Sequence, residues 1–221
     1  MFETSTLTQW IINQGVSQMV LEIMISMCIV ATIVSIARYI LGNKTYGIYA
    51  PIILAIAYSY TGLRYGLAIT LVVILTSLLS YSILRKIRMH YITRIATNYI
   101  ILSIVLVFFF ILINNFGLGL ENMSNIPPLA FISIAALSDF FIKQYVQKSL
   151  KSSIMTLLGT ILVAIVGWFV ITRSMVSNFV LNNLWVIPLL AVLNVLLGMF
   201  KGLRIKDYFR FRLIGKDDND K

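Results

Sequence analysis

The sequence predicts an all-α integral membrane protein, a bundle of seven transmembrane helices with its N-terminus outside and its C-terminus inside. Hydrophobic residues make up 59% of the 221 residues and charged residues 12%, whereas soluble domains contain about 45–50% and about 25%. The mean hydropathy is +0.92, and a chain this short cannot hide so much apolar surface in one core. The apolar residues also form long runs, and the basic residues gather between alternate runs. Lipid is therefore the expected solvent.

Seven apolar segments are candidates for helices that cross the hydrocarbon core, which is about 30 Å thick and takes roughly 20 residues. They show no strand-like alternation, and in lipid only helices and closed barrels satisfy the backbone. The second and fifth segments are short and carry prolines in their first turns. The predicted spans are residues 19–41, 47–60, 63–84, 95–113, 126–142, 152–172 and 180–200.

The seven-span domain, residues 19–200, is predicted to lie between two short flanking segments. Residues 1–18 contain no lysine or arginine, so we expect no cleaved signal peptide. This first segment is either an amphipathic turn at the membrane interface or a disordered end. Residues 201–221 form a basic cytoplasmic tail.

The basic residues determine the predicted orientation, because cytoplasmic connections carry an excess of lysine and arginine. Sixteen of the eighteen fall after spans 1, 3 and 5 and in the tail, whereas Arg64 and Arg173 fall on the other side. If the short second segment did not cross, the connection 85–94 would lie outside. We therefore expect both short segments to span the cell (cytoplasmic) membrane. The net charge of +10 fits this topology and an attraction to anionic lipids, and no separate basic domain indicates nucleic-acid binding.

Spans 1–3 and 4–6 share a layout of a long helix, a short helix headed by proline, and a second long helix. Because each unit has three crossings, the second would be inverted relative to the first, as in many transporters. The short helices start at corresponding places, Gly47 with Pro51 and Pro127 with Pro128. The alternative is that any seven-helix protein can be divided this way, since proline is common in a first helical turn. Both interpretations remain open here.

Several short elements in a fixed order carry a family resemblance. They are Gly42-Asn43-Lys44-Thr45-Tyr46-Gly47 leading to Pro51, Thr93-Arg94-Ile95, Leu137-Ser138-Asp139, Gly202-Leu203-Arg204 and Arg210-Phe211-Arg212. Over about residues 20–214 they resemble a bacterial seven-transmembrane module usually fused to, or encoded beside, an inactive transglutaminase-like domain. The chain departs from that pattern with Thr93 and Ile95 in a Pro-Arg-Leu element and with Asp139 where glutamate is usual. The Gly…Pro…Ala helix starts are also faintly similar to the small membrane subunit of poly-γ-glutamate capsule synthesis.

The resemblance implies a non-catalytic membrane subunit that works with a protein partner at the cytoplasmic face. Such modules tend to occur with ATP-grasp or amide-ligase proteins that build or attach glutamate-rich peptides. Only 18 residues precede the first span, so we expect a separate protein to supply the transglutaminase-like part. A homo-oligomer is compatible with the sequence but not indicated by it.

Ionisable side chains near the hydrocarbon are costly and are therefore candidate functional residues. At the predicted outer face, Glu22 and Arg64 lie at a similar depth and are candidates for an ion pair. Tyr46 and Tyr58 are expected in the aromatic belt at the membrane interface.

At the predicted inner face, Asp139 is the candidate centre of a polar cluster. It can pair with Lys143 one turn later, or with Arg38 or Arg94 at the inner ends of other spans. The arginines can alternatively extend to lipid phosphates on their own. Both hypotheses remain open at this point.

The basic tail contains a candidate docking segment for the partner. Its basic and aromatic residues are mixed, notably Arg204, Arg210, Phe211 and Arg212. Attraction to an acidic protein surface explains this mixture, and binding to anionic lipid headgroups explains it equally well.

A single cysteine, Cys28, and a single histidine, His90, argue against disulfides and against Cys/His metal sites. The sequence offers no set of nucleophile, base and orienting group and no paired carboxylates. We therefore predict no catalytic residues, no cofactor and no metal. The alternative function is a transporter of a small solute or polymer built on the inverted repeat, but the spans contain few polar residues to line a hydrophilic path.

Overall fold

A computed structural model describes residues 6–115 and 128–199. Within them the chain forms nine helices and no strand. The helices are α1 (Thr6–Asn13), α2 (Gln18–Tyr39), α3 (Tyr49–Thr61), α4 (Leu63–Leu84), α5 (Tyr91–Asn115), α6 (Pro128–Gln147), α7 (Leu150–Ile171), α8 (Ser174–Asn182) and α9 (Val186–Met199).

Five of these helices, α2, α4, α5, α6 and α7, are long and apolar enough to cross a membrane. The prediction of an all-α membrane protein is confirmed, and α4 has the bounds that the sequence predicted. Helix α3 is apolar but has only 13 residues, about 20 Å at the rise of an α-helix. Its crossing and the in–out orientation remain predictions.

The seventh span predicted over residues 180–200 is not one continuous helix in the described residues, and whether this segment crosses remains a prediction. Helix α8 ends at Asn182, α9 begins at Val186, and the two helices are bent by 103°. Asn183 has a non-helical backbone (φ −129°, ψ 67°), and its side-chain Nδ2 donates to the Phe179 carbonyl at 3.0 Å. An asparagine that bonds to the preceding turn competes with helix propagation, so the chain turns before α9 starts.

The N-terminal segment contains the short helix α1. Its Leu7 and Trp10 side chains are exposed, whereas Ile11 packs against a cluster formed by α2 and α8. The buried hydroxyl of Thr8 donates to the Leu181 carbonyl. Helix α1 is thus attached to the fold along one face and presents apolar residues on the other.

The chain divides into two compact units. The described part of the first unit comprises residues 6–52 and 159–199, and α2 packs there against α8 and α9. Leu21 and Ile25 of α2 form a buried cluster with Val180 and Leu181. Further along α2, Asn194 Nδ2 donates to Thr32 Oγ1 at 2.8 Å, which satisfies a buried hydroxyl within an apolar interface.

The described part of the second unit comprises residues 53–115 and 128–158, and α4 packs there against both α5 and α6. Its core contains the fully buried side chains of Ile69, Val73, Ile134 and Phe141. Polar side chains are buried among these apolar ones, and they form the candidate site.

Candidate functional site

The second unit buries a polar cluster where α4, α5 and α6 meet. Its members are Ser77 and Ser80 on α4, Asn98 on α5 and Ser138 on α6, each 2% exposed or less. Asn98 Nδ2 lies 3.4 Å from Ser138 Oγ, and this hydrogen bond joins α5 to α6. The Ser77 and Ser80 hydroxyls and Asn98 Oδ1 have no hydrogen-bond partner in the described part of the chain. The cluster therefore holds polar groups that a water or a ligand would satisfy.

Tyr99 and Asp139 extend this cluster by one residue on each helix. Tyr99 Oη donates to Asp139 Oδ2 at 2.8 Å. The other carboxylate oxygen, Oδ1, is buried and lacks a hydrogen-bond partner among the described residues. A half-buried carboxylate that takes a phenol hydrogen bond is a strong link between helices, because hydrogen bonds to charged groups exceed neutral ones.

The three basic residues predicted to pair with Asp139 lie on three different helices, α2, α5 and α6. Arg94 lies on α5 one turn before Asn98, and its guanidinium carbon is 5.8 Å from the centroid of the Tyr81 ring. Lys143 is exposed on α6, and Arg38 is exposed in the last turn of α2, in the first unit. The ion pairs with Arg38, Arg94 or Lys143 remain predictions.

A cavity of about 60 Å³ lies among the three helices beside the polar cluster. Its wall is largely apolar, and Arg94 and Asn98 supply polar side chains to it. The lining includes Tyr81, Leu84, Arg94, Asn98, Ile142 and Val146. Because a water molecule needs only about 10–15 Å³ measured this way, the cavity has room for a small chemical group.

Arg94 also borders an open depression of about 420 Å³ formed by the connection between α4 and α5. Arg85, Arg88 and His90 contribute to it, and all three are exposed. Arg94 thus borders an apolar cavity on one side and a cationic surface on the other.

A second polar arrangement lies in the first unit, where the connection between α2 and α3 begins with a helix-ending turn. Gly42 has a φ of +72°, a backbone conformation that glycine adopts readily and that residues with a Cβ atom rarely adopt. Asn43 N donates to the Ala37 carbonyl, six residues earlier, at 3.0 Å, which satisfies one of the carbonyls left free at the end of α2. The Gly-Asn pair therefore ends α2 and directs the chain sideways.

This connection packs against the middle of α7. Tyr46 N donates to Thr160 Oγ1 at 3.0 Å, and Asn43 Nδ2 lies 3.4 Å from the Gly159 carbonyl. A Cβ on Gly159 would overlap the Lys44 carbonyl oxygen and would lie 2.7 Å from Asn43 Oδ1. Irregular backbone thus lies beside the centre of an apolar span, which is tolerated only where protein or water covers it.

Two tyrosines expected at the membrane interface are buried within the protein instead. Tyr46 is 6% exposed and Tyr58 is fully buried. Burial raises the pKa of the Tyr46 phenol, so this residue is neutral at ordinary pH. Tyr58 Oη lies 2.9 Å from Thr70 Oγ1 of α4. Both side chains are buried in the protein, so the interfacial prediction for these two residues is wrong.

A known protein family matches most of the chain. A protein family described as seven transmembrane helices usually fused to an inactive transglutaminase matches residues 3–215. The chain belongs to this family. No curated protein and no solved structure matches it. The resemblance to the transglutaminase-associated module is confirmed, whereas the fainter likeness to the capsule-synthesis subunit remains a prediction.

The two segments predicted to be short differ in this transglutaminase-associated module, because α3 has 13 residues whereas α6 has 20 and extends beyond the predicted end at residue 142. Gly47 has a φ of +64° just before α3, and Pro51 lies in the first turn of that helix. Pro128 is the first residue of α6, whereas Pro127 falls outside the described residues. The inverted repeat itself remains a prediction.

The remaining candidates are not brought together by the described part of the chain. Glu22 Oε1 accepts a hydrogen bond from Gln18 Nε2 at 2.9 Å, and Arg64 is exposed near the start of α4. Their ion pair remains a prediction. The docking segment with Arg204, Arg210, Phe211 and Arg212 lies outside the described residues. No three His, Cys, Asp or Glu side chains of the described residues converge on a metal-sized site.

Sequence reasoning found Asp139 but missed Tyr99 and Gly159. Tyr99 is half-buried and lies beside the buried stripe of Asn98, Leu102 and Leu106 rather than in it, so the helical repeat gave no signal for it. Gly159 carries no local signal, because its partner loop lies more than a hundred residues earlier in the chain.

Proposed function

We propose that this chain is the non-catalytic membrane subunit of a protein system and anchors a transglutaminase-like or amide-ligase partner at the cytoplasmic membrane. The observation that carries the proposal is the family match over residues 3–215, because the family's module is usually fused to an inactive transglutaminase. A fused domain is held at the membrane by its module. A module of the same family can hold an equivalent domain through non-covalent contacts.

The basic tail supports a cytoplasmic docking site. Residues 201–212 carry five basic residues and three aromatic ones, a combination suited to an acidic protein surface. Electrostatic complementarity speeds association with the correct partner, and aromatic and arginine side chains contribute most of the energy of many interfaces. We therefore propose Arg204, Arg210 and Arg212 as the main docking residues.

The experiment compares two triple variants in the native membrane. One replaces Arg204, Arg210 and Arg212 with glutamine. The matched control replaces Lys143, Lys148 and Lys151, three exposed basic residues at and after the end of α6. Affinity-tagged chains are purified, and mass spectrometry identifies co-purifying proteins with transglutaminase-like or ATP-grasp domains.

We expect such a protein with the wild type and the control, and its loss from the tail variant with membrane insertion unchanged. An unchanged partner after the tail substitutions would leave lipid binding as the role of the tail. Purification without any such protein would overturn the anchoring function.

A second candidate function is the transport of a small solute, and two features favour it. Broken or irregular backbone near the membrane midplane is typical of transporter sites, and the α2–α3 connection lies beside the middle of α7. The second unit also buries Asn98 and Ser138, and it holds the half-buried Asp139 beside them. Currents measured on reconstituted liposomes with a panel of amino acids and inorganic ions would support transport if Asp139→Asn abolished them.

A further inference from the structure

Arg94 presents an unbalanced positive charge in the second unit. Its Nε atom is buried and has no hydrogen-bond partner in the described part of the chain. The Tyr81 ring lies beside the guanidinium, but an aromatic face compensates a buried cation only partly. The carboxylate of Asp139 accepts its hydrogen bond from the Tyr99 hydroxyl. A buried N–H group of a cation without a hydrogen-bond acceptor is costly, so an anionic acceptor beside Arg94 would stabilise the site.

The surroundings of Arg94 indicate what kind of anion fits. On one side, the cavity among α4, α5 and α6 is lined mostly by apolar groups such as Leu84, Ile95, Ile142 and Val146. On the other side, Arg85, Arg88 and His90 form the exposed cationic depression. A ligand that satisfies both sides has an anionic head and an apolar body.

We propose that this site binds an anionic phospholipid, with the phosphate between Arg94 and the loop arginines and the first acyl carbons in the cavity. Basic pockets between transmembrane helices at the cytoplasmic side are known to suit such headgroups. Arg94 lies in the first turn of α5, which begins at Tyr91. That is the depth at which an arginine can reach the headgroup region.

The two-sided lining favours a lipid over a soluble anion. Inorganic phosphate would use the arginines but would gain nothing from the apolar cavity. An uncharged lipid would fill the cavity but would leave Arg94 without an anion. The proposal is independent of the docking function, because it concerns residues of the α4–α6 unit rather than the tail.

The test uses the purified full chain in detergent. Native mass spectrometry and the melting temperature are followed while phosphatidylglycerol, phosphatidylcholine or sodium phosphate is added at constant ionic strength. We expect one retained phosphatidylglycerol molecule and a melting temperature that rises with its concentration, as mass action requires. Phosphatidylcholine and sodium phosphate should give neither effect.

Two variants separate the charge from the cavity. Arg94→Gln removes the anion partner, and Ile142→Trp fills the cavity while retaining every charge. Arg94→Gln should weaken retention of phosphatidylglycerol by about tenfold or more, the loss expected for about one charge-assisted contact, and Ile142→Trp should weaken it because the apolar body of the lipid loses its cavity. Arg173→Gln is the matched control, since the Arg173 guanidinium carbon lies 4.4 Å from the centroid of the Phe169 ring and lines neither the cavity nor the depression.

The proposal is overturned if phosphatidylglycerol binds wild type and both variants equally, or if sodium phosphate stabilises the chain as much as the lipid does. Should Arg94→Gln fail to fold, Ile142→Trp decides alone. If a folded Ile142→Trp protein retains the lipid as well as wild type does, the acyl chain does not bind in the cavity.

Discussion

Gly159 of α7 lies directly against the carbonyl of Lys44, so closely that a methyl group on residue 159 would overlap that oxygen. The two residues are 115 positions apart in the chain, and their contact joins the α2–α3 connection to the middle of an apolar helix. The contact depends on the absence of a side chain at residue 159. Small residues have the same role wherever transmembrane backbones approach closely.

Gly159→Ala should therefore destabilise the protein, although alanine normally favours a helix. The added methyl meets backbone on one side and Asn43 on the other, and overpacking of this kind costs about 1–3 kcal/mol. We expect a lower melting temperature in detergent, measured by intrinsic fluorescence or by a thiol-reactive dye.

Gly198→Ala provides the matched control. Gly198 lies in α9, and a Cβ there would meet nothing within 4 Å. Because alanine is about 1 kcal/mol better than glycine in a helix, the control should be neutral or stabilising. Equal effects of the two substitutions would show that the Lys44–Gly159 contact does not hold the connection in place.

The hydrogen bond between Tyr99 and Asp139 predicts energetic coupling. Tyr99→Phe and Asp139→Asn should each lower the melting temperature, and the double variant should lose less than the sum. Interhelical hydrogen bonds in membrane proteins contribute about 0.6 kcal/mol and up to about 1.7, so a coupling energy of about 0.5–2 kcal/mol is expected. The measurement is a double-mutant cycle in detergent.

Tyr145→Phe is the control for this cycle, because the Tyr145 ring packs edge-on against Tyr81 and keeps that contact without its hydroxyl. Parallel cycles of Asp139→Asn with Arg38→Gln and Arg94→Gln address the ion pairs that the sequence predicts. Coupling to an arginine but not to Tyr99 would favour the ion-pair cluster over the phenol hydrogen bond.

The fold was most predictable where local signals and long-range packing agree. The bounds of α4, Leu63–Leu84, followed from Gly62 before the helix and the basic run after it. Gly62 indeed has a φ of +77° at the N-cap. The break between α8 and α9 was not predicted, since residues 180–200 form an almost continuous apolar run. There a single side chain, that of Asn183, bonds to the preceding turn and interrupts the helix.

The sequence predicted the charged residue of the candidate site, Asp139, but not the side chain that bonds to it. Asp139 was evident because a carboxylate within an apolar run is rare. Its partner Tyr99 belongs to a helix 40 residues earlier, and the pairing depends on how α5 and α6 rotate against each other. Tyr46 and Tyr58 were assigned to the interface by residue type alone, whereas hydrogen bonds to Thr160 and Thr70 accompany their burial.

A second close approach lies in the second unit, where the Tyr58 ring leaves no room for a side chain on Gly66. A Cβ on Gly66 would overlap the Tyr58 ring and lie 2.8 Å from Thr61 Oγ1. Gly66→Ala should thus cost about 1–3 kcal/mol, read as a lower melting temperature. Tyr58→Ala should also destabilise the protein, because a large buried aromatic leaves a cavity.

The double variant Gly66→Ala with Tyr58→Ala should lose clearly less than the sum, since the overlapping ring is gone. Gly66→Ala with Tyr58→Phe is the matched comparison, because phenylalanine keeps the ring and loses only the 2.9 Å contact with Thr70. That pair should be additive. Additivity in both pairs would contradict a steric origin for the effect of Gly66→Ala.

The last prediction concerns the number of crossings before α4. The family is described by seven transmembrane helices, but α3 is a helix of only 13 residues. Such a helix crosses only if the bilayer is locally thin or if neighbouring helices cover its ends. The predicted orientation requires that it does, because otherwise the basic connection after α4 would lie outside.

Cysteine labelling in intact cells distinguishes the two topologies. In a Cys28→Ala background, a cysteine at Met89 should resist an impermeant maleimide, whereas one at Ser124 should react. A cysteine at Lys148, between α6 and α7, should be protected as well, and it would become reactive together with residue 89 if α3 did not cross. If α3 does not cross, residue 89 becomes reactive and residue 124 protected, so reversed labelling at these two positions would exclude the seven-span arrangement with its N-terminus outside.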